Sequence, residues 1–317
     1  MFFFVLAYVN AMNTQEPTFL CIGLPKTGTT WLYTQLKQHP RVFLPYKEIN
    51  YLWKRVIYPG SHTIARFFDT HWVYQRYRNS GKHRLLGYIV HPLHIFWNFP
   101  LILWNLKFFF LPYSDQWYCS LFRTSSHCIS GDISPIYHRL SDDEVTRIKG
   151  SWPDIKILIL LRNPIERAWS HAKMALLRNR ETASHPPCQQ DFYGYFRRLF
   201  KRCPSYTALI DRWSRHFPEQ QIHVNFYERL VDDPWLFLTQ ISEFLGLDVG
   251  QFPRSTVEQL SDKVSLGLSL KRSEEYSVYL ARLYQDCIND MCERYAPYPQ
   301  QWAEMCSLLL NNHSSYM

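Results

Sequence analysis

Phe19-Leu20-Cys21-Ile22-Gly23-Leu24-Pro25-Lys26-Thr27-Gly28-Thr29-Thr30-Trp31 decides the fold of this 317-residue chain. Residues 19–22 are an apolar run short enough for a strand buried on both faces. Gly23, Pro25 and Gly28 make a turn, and Thr29 and Thr30 open a segment with helical spacing. Strand, tight turn and helix start, in that order, aim several backbone N–H groups and the positive end of a helix dipole at one point. Such a point suits phosphate or sulfate. Lys26 adds a full charge there, and threonine hydroxyls offer further hydrogen bonds.

The residues do not fit the loop that binds a metal-bound triphosphate. The nucleoside-triphosphate loop places lysine directly after its last glycine and follows it with Ser or Thr, whereas here Lys26 precedes Gly28. A triphosphate site also needs Mg²⁺, held by an aspartate near the end of a second strand. The best second strand, residues 155–161 (Ile-Lys-Ile-Leu-Ile-Leu-Leu), runs instead into Arg162-Asn163-Pro164. An arginine there makes a further oxyanion contact and repels a metal, so no metal is expected. Pro164 marks the first turn of a helix. Ser170 then lies about two turns along it, and Arg162 with Ser170 suits a second phosphate.

Four stretches in order carry a family resemblance. Pro25-Lys26-Thr27-Gly28-Thr29-Thr30-Trp31 resembles the 5′-phosphosulfate loop of sulfotransferases, and the segment from Arg162 to Ser170 resembles their 3′-phosphate motif. Gly131-Asp132-Ile133-Ser134-Pro135-Ile136-Tyr137 is similar to a segment of the glycan and bacterial branches, with Asp132 where Glu is usual. Phe226-Tyr227-Glu228-Arg229-Leu230, then Asp233-Pro234 and Phe244-Leu245-Gly246-Leu247, resembles the late strand and helix. The resemblance spans residues 18–247. It implies 3′-phosphoadenosine-5′-phosphosulfate (PAPS) as donor and adenosine 3′,5′-bisphosphate as product, with no metal. It also implies a P-loop-like α/β fold, a central parallel sheet flanked by helices, with parallel strands expected at 19–23, 155–161 and 222–227.

On that resemblance Pro25, Lys26, Thr27, Gly28, Thr29, Thr30 and Trp31 hold the 5′-phosphosulfate, and Arg162 and Ser170 hold the 3′-phosphate. Lys26 serves the departing bridging oxygen. Lys47-Glu48-Ile49-Asn50-Tyr51-Leu52-Trp53 resembles the glycan-branch segment whose glutamate is the base. Glu48 is therefore the catalytic base, with Lys47 and Tyr51 as neighbours on the acceptor side; loop charges before an apolar helix are the plainer reading. Asp132 and His91 are further acceptor-side candidates, His91 as the rival base. Lys271 and Arg272 stand where the glycan branch keeps a Lys-Gly-Arg phosphate loop, but the glycine is missing, and a charge cluster at a helix start also fits.

Composition agrees with an anionic donor. Thirty-five basic against 27 acidic residues give a net charge of +8, which suits anionic ligands or surfaces. No nucleic-acid motif accompanies it. The eight cysteines form no Cys-x-x-Cys pair or metal-ligand spacing; reduced thiols are expected, with Cys188 and Cys203 a pair that an oxidising compartment could bridge. Residues 18–310 read as one domain, after a short apolar segment at 1–17 and before a tail at 311–317. The apolar start is too short to span a bilayer and lacks a basic flank. A cytoplasmic protein, peripheral to a membrane or not, is expected, with the Golgi lumen as alternative.

An aromatic-rich insertion fills residues 91–114, most densely 92–113 (PLHIFWNFPLILWNLKFFFLPY). Its amides, lysine and mid-run proline argue against a spanning helix. Buried helices, a membrane-surface contact, a flap over the acceptor and a dimer face all fit its composition. The implied acceptor is a hydroxyl or amine on a glycan or glycolipid, or else on a small or lipid-like metabolite. A nucleotide kinase using the same loop and a catalytically inactive nucleotide- or sulfate-binding relative are the rival readings.

Overall fold

The computed structural model describes residues 15–44, 46–57, 108, 113–122, 128–178, 188–203, 205–253 and 272–314. His91, Lys271 and nearly all of the aromatic insertion lie outside them. Contacts group the chain into two compact units: Thr18–Ile49 with Gly131–Met317, and a smaller one containing Asn50–Ser130.

The larger unit is built on a five-stranded sheet. Its strands are β1 (Phe19–Cys21), β2 (Val42–Phe43), β3 (Ile129–Ile133, whose first two residues fall to the smaller unit), β4 (Lys156–Leu161) and β5 (Ile222–Phe226). The spatial order is β2-β3-β1-β4-β5. β1 pairs in parallel with β3 (Cys21 opposite Ile133) and with β4 (Phe19 opposite Lys156), and β4 pairs in parallel with β5. Ile157 to Leu161 are fully buried, as expected of a central parallel strand with both faces covered. The three expected strands are present, each trimmed at its ends.

β1 is only three residues long, yet its pairing continues. Ile22 N–H donates to Leu158 O at 2.9 Å and Leu24 N–H to Leu160 O at 3.2 Å. Gly23 permits this approach, because a Cβ there would sit 2.5 Å from the backbone nitrogen of Leu160. The loop that follows is thereby tied to β4 before it turns into helix α1 (Thr29–Leu36).

The helices that cover the sheet carry the signals their sequences promise. α4 (Asp142–Ser151), following α2 (Tyr51–Ile57) and α3 (Asp115–Ser120) of the smaller unit, is capped by Ser141 and has Asp142, Asp143 and Glu144 in its first turn. α5 (Pro164–Arg178) starts at the expected proline, and Asn163 caps it by accepting from Ile165 N–H at 2.9 Å. α6 (Gln189–Arg202), α7 (Tyr206–Ser214), α8 (Tyr227–Asp232) and α9 (Pro234–Leu245) follow.

One sequence reading changes, and one open alternative closes. The apolar spacing from Ser277 to Leu310 suggests one packing helix, but there are two, α10 (Glu274–Arg294) and α11 (Tyr298–Ser314). Pro297 breaks the run: it lacks an N–H, and its ring clashes with the preceding turn of a helix. Cys188 and Cys203 do not form a bridge, and both are free thiols. They cap opposite ends of the 14-residue helix α6, about 22 Å apart at 1.5 Å per residue, whereas a disulfide needs Cα atoms within about 7 Å.

The smaller unit packs aromatics. Tyr51 stacks on Tyr118 at 4.9 Å, and Trp117 meets Tyr113 at 4.5 Å and Phe108 at 6.0 Å. The two described residues of the 92–113 stretch, Phe108 and Tyr113, are therefore buried core residues. Among the described residues no helix is long and apolar enough to cross a membrane.

Candidate functional site

At the carboxyl edge of the sheet the chain leaves regular structure at three neighbouring places, after β1, β3 and β4. The loop after β1 carries Lys26 in a left-handed backbone conformation (φ 76°). Glu48 is left-handed as well (φ 64°), and Asn50, the third described non-glycine residue with positive φ, stands two residues on. Such conformations cost roughly 1–3 kcal/mol each and persist where surrounding structure enforces them. Both residues expected to do chemistry, Lys26 and Glu48, thus sit at strained positions.

Gly28 precedes α1 with φ 84°, open to glycine without the steric cost a side chain would bring. Thr27, fully buried, donates its hydroxyl to Leu24 O at 2.7 Å and closes the turn. Pro25 is half-buried. No side chain caps α1, and its first turn holds no acidic residue, in contrast to α4. The first N–H groups of α1 and its positive dipole end are therefore not met by protein anions. Thr29 is buried within that first turn, while Thr30 is exposed. Trp31 is also buried, packed edge-on against Phe237 at 5.8 Å. It anchors α1 rather than lining the loop.

Lys26 feels its surroundings strongly. Burial, and then the charges of Arg162, Lys47 and Lys173, push its ammonium below the usual lysine range. Its Nζ rests 3.7 Å from Met174 Sδ. Lys47 Nζ donates to Thr30 Oγ1 and to Glu48 Oε1, both at 2.8 Å. The exposures of the Lys47 and Glu48 side chains are 14% and 24%. Glu48 N–H donates to Ile133 O at 3.1 Å, fixing it beside the end of β3. A hydrogen-bonded line therefore runs from the expected base, through Lys47, to the first turn of the anion-loop helix.

Arg162 joins the second motif to the first. Its Nη1 donates to Lys26 O at 3.3 Å, and its guanidinium lies 4.2 Å from the ring centroid of Tyr227. Behind it, buried Arg167 donates from Nε to the Tyr206 hydroxyl at 2.8 Å, and that hydroxyl donates to Arg162 O at 3.1 Å. Ser170 is half-buried, two turns along α5. Arg272 docks on the same helix through Glu166, four residues before Ser170, at 2.7 Å, and donates to Ser277 Oγ at 2.8 Å. Lys173 also belongs to this corner: burial lowers its pKa first, Glu166 opposes, and Arg162 and Arg272 lower it further.

Asp132, expected on the acceptor side, is fully buried instead. Its two oxygens accept from the hydroxyls of Ser134 and Tyr137, each at 2.6 Å. The Asp132–Ser134–Tyr137 spacing thus reads as a self-bracing turn at the end of β3. Tyr51 donates to Asp115 at 2.9 Å inside the smaller unit. Among the described residues no cluster of three or more His, Cys, Asp or Glu is arranged to hold a metal ion.

Two site residues escaped the sequence reading. Tyr227 and Glu228 stand in a stretch recognised only as a late strand and helix. Glu228 Oε1 accepts from Asn163 N–H at 2.8 Å, and burial raises its pKa. A signal existed in the Tyr-Glu pair directly after β5, since side chains at that sheet edge face the same crevice.

Comparison with known proteins bears on this geometry. The model of the sulfotransferase domain matches residues 16–266. Heparan sulfate glucosamine 3-O-sulfotransferase 6 of Mus musculus is 30% identical over 41% of this chain and 39% of its own length. Bifunctional heparan sulfate N-deacetylase/N-sulfotransferase 3 of Homo sapiens is 24% identical over 73% of this chain and 22% of its own. The chain thus aligns with well under half the length of these curated relatives. A solved sulfotransferase from Alicyclobacillus acidocaldarius superposes with a TM-score of 0.57 at 19% identity, over 90% of this chain and 98% of that one, a likeness of fold.

Proposed function

The chain belongs to the sulfotransferase domain family, and from that premise we propose that it moves a sulfuryl group from PAPS to an acceptor hydroxyl or amine. One observation carries the reading: Arg162 Nη1 donates to the carbonyl of Lys26. The two expected oxyanion motifs, 136 residues apart in sequence, therefore meet at one place. In this reading the backbone of residues 25–30 and the amino end of α1 take the 5′-phosphosulfate. Arg162 and Ser170 take the 3′-phosphate, with Lys173 and Arg272 contributing charge.

PAPS supplies an electrophilic sulfur with a good leaving group, and the residues do the rest. The acceptor oxygen or nitrogen forms a bond to sulfur as the bond from sulfur to the bridging phosphate oxygen breaks. Glu48 accepts the acceptor's proton. The half-buried Lys26 ammonium meets the charge growing on the departing bisphosphate. Lys47 orients Glu48 through their 2.8 Å contact, and its bond to Thr30 keeps the base in register with the donor loop. Similarity to heparan sulfate sulfotransferases favours a carbohydrate acceptor over a small metabolite or lipid alcohol.

The test is a labelled-PAPS assay against a panel of glycans, glycolipids and small alcohols, with mass spectrometry of any product 80 Da heavier, the mass of one SO₃ group (~80 Da). Transfer to a carbohydrate is the expected result. Tight binding of adenosine 3′,5′-bisphosphate with no transfer to any acceptor would mark an inactive relative. Tight Mg-ATP binding without bisphosphate binding would mark a kinase.

A pH dependence follows from Lys26. Its ammonium loses its proton more readily than an ordinary lysine in the ligand-free protein, and the anionic nucleotide binds the charged form. Affinity is thus full below that lowered pKa and falls as pH rises through it. Calorimetric titration of adenosine 3′,5′-bisphosphate from about pH 7 to about pH 10 should show this decline, and Lys26→Arg should reduce it to the part that Lys173, also lowered by burial, contributes, because arginine stays charged there. An unchanged alkaline limb in Lys26→Arg would assign the titration to another group.

A further inference from the structure

We propose that Tyr227 is a positioning residue that holds the Arg162 guanidinium in place for the 3′-phosphate, and so sets the preference for a bisphosphorylated nucleotide. The inference rests on the sulfotransferase reading and adds to it a residue that contacts no reacting atom. Arg162 is a long, rotamer-rich side chain at the end of β4, and a free arginine there would lose considerable entropy on binding. Three contacts restrict it. Nη1 donates to Lys26 O at 3.3 Å, the Tyr206 hydroxyl holds its carbonyl at 3.1 Å, and the Tyr227 ring lies 4.2 Å from Cζ. Of these, only the ring engages the guanidinium without taking one of its N–H groups. It leaves the edge with its N–H donors available for a phosphate.

The ring is itself fixed. Tyr227 opens α8 directly after β5, and its Cδ2 would stand only 3.3 Å from a Cβ added to Gly28. The next residue, Glu228, ties α8 to the loop after β4 by accepting from Asn163 N–H at 2.8 Å. Tyr227 is thus wedged between the glycine of the 5′-loop and the arginine of the 3′-loop, so its placement determines where Arg162 can point.

The experiment compares adenosine 3′,5′-bisphosphate with adenosine 5′-monophosphate by calorimetry in Tyr227→Leu, Tyr227→Phe, Arg162→Ala and the double variant Tyr227→Leu/Arg162→Ala. Tyr227→Leu should weaken bisphosphate binding about tenfold and leave the monophosphate unchanged. Tyr227→Phe should retain the parent preference, because the ring remains. In the Arg162→Ala background Tyr227→Leu should have no further effect on bisphosphate affinity. Equal losses for both nucleotides, or a loss that persists without Arg162, would reduce Tyr227 to packing and overturn the proposal.

A ligand-free readout separates this from the parent reading. In ¹⁵N-arginine spectra the Arg162 Nε–H should be shifted by the ring and slow to rotate in the parent and in Tyr227→Phe, and averaged in Tyr227→Leu. If the parent binds no bisphosphate yet shows this pattern, the sulfotransferase reading falls and the positioning role stands. If Arg162 is equally mobile in all three proteins, the positioning role falls whatever the nucleotide does.

Discussion

Lys26→Ala should lower sulfuryl transfer by about 10²- to 10³-fold, the scale on which a group aimed at a developing oxyanion acts. The ground for so large an effect is the position of Lys26. Its backbone is held left-handed between Pro25 and Gly28, its carbonyl is taken by Arg162, and burial with three neighbouring cations loads its ammonium with unfavourable energy. An anion at the loop relieves that energy, and most of all when charge concentrates on the bridging oxygen. The loss should therefore fall on kcat, with a smaller change in bisphosphate affinity, because the loop's backbone N–H groups and the helix end remain. Single-turnover rates beside bisphosphate Kd values decide it. A variant whose transfer rate stays within tenfold of the parent would remove Lys26 from the chemistry.

The second large effect belongs to Glu48. Glu48→Gln keeps the size of the side chain and can still accept from Lys47, but cannot take a proton from the acceptor. Turnover should drop by about 10²-fold or more, with bisphosphate Kd roughly kept. The geometry makes the alternative specific. Glu48 lies 2.8 Å from Lys47, which lies 2.8 Å from Thr30, so an orienting role for the carboxylate would damage nucleotide binding as well as rate. A Glu48→Gln protein that loses affinity in proportion to rate, or that keeps parental activity, is incompatible with Glu48 as the base.

The parts of this site that were legible in sequence are local. Residues 19–31 announce strand, turn and helix because apolar run, glycines and threonines fall within one window, and 155–170 do so because arginine and proline follow a run of aliphatic residues. What was not legible depends on residues far apart in the chain. The contact of Lys47 with Thr30 spans 17 residues and that of Tyr227 with Arg162 spans 65; no periodicity encodes either. Asp132 misled because its type suggests chemistry, whereas burial and two short hydrogen bonds make it a brace. Cys188 and Cys203 are free thiols as expected, and the bridge kept as an alternative is closed off by a continuous helix that sets them at its two ends.

One pairing within the sheet has a consequence for how the protein is made. Phe19 opposes Lys156, and the segment after β1 donates its N–H groups to the carbonyls of Leu158 and Leu160. The donor loop therefore has no scaffold until β4 exists, about 137 residues later. At ~5–20 residues per second of synthesis, that interval is roughly 7–27 s. Until β3 is made, about 112 residues after Phe19, both edges of this apolar segment are unpaired, and the edge that meets β4 stays open until β4 follows. Such non-local pairings slow folding and expose sticky edges. Yield from a heterologous host should thus respond to chaperones and slowed translation more than to stabilising changes in the finished protein.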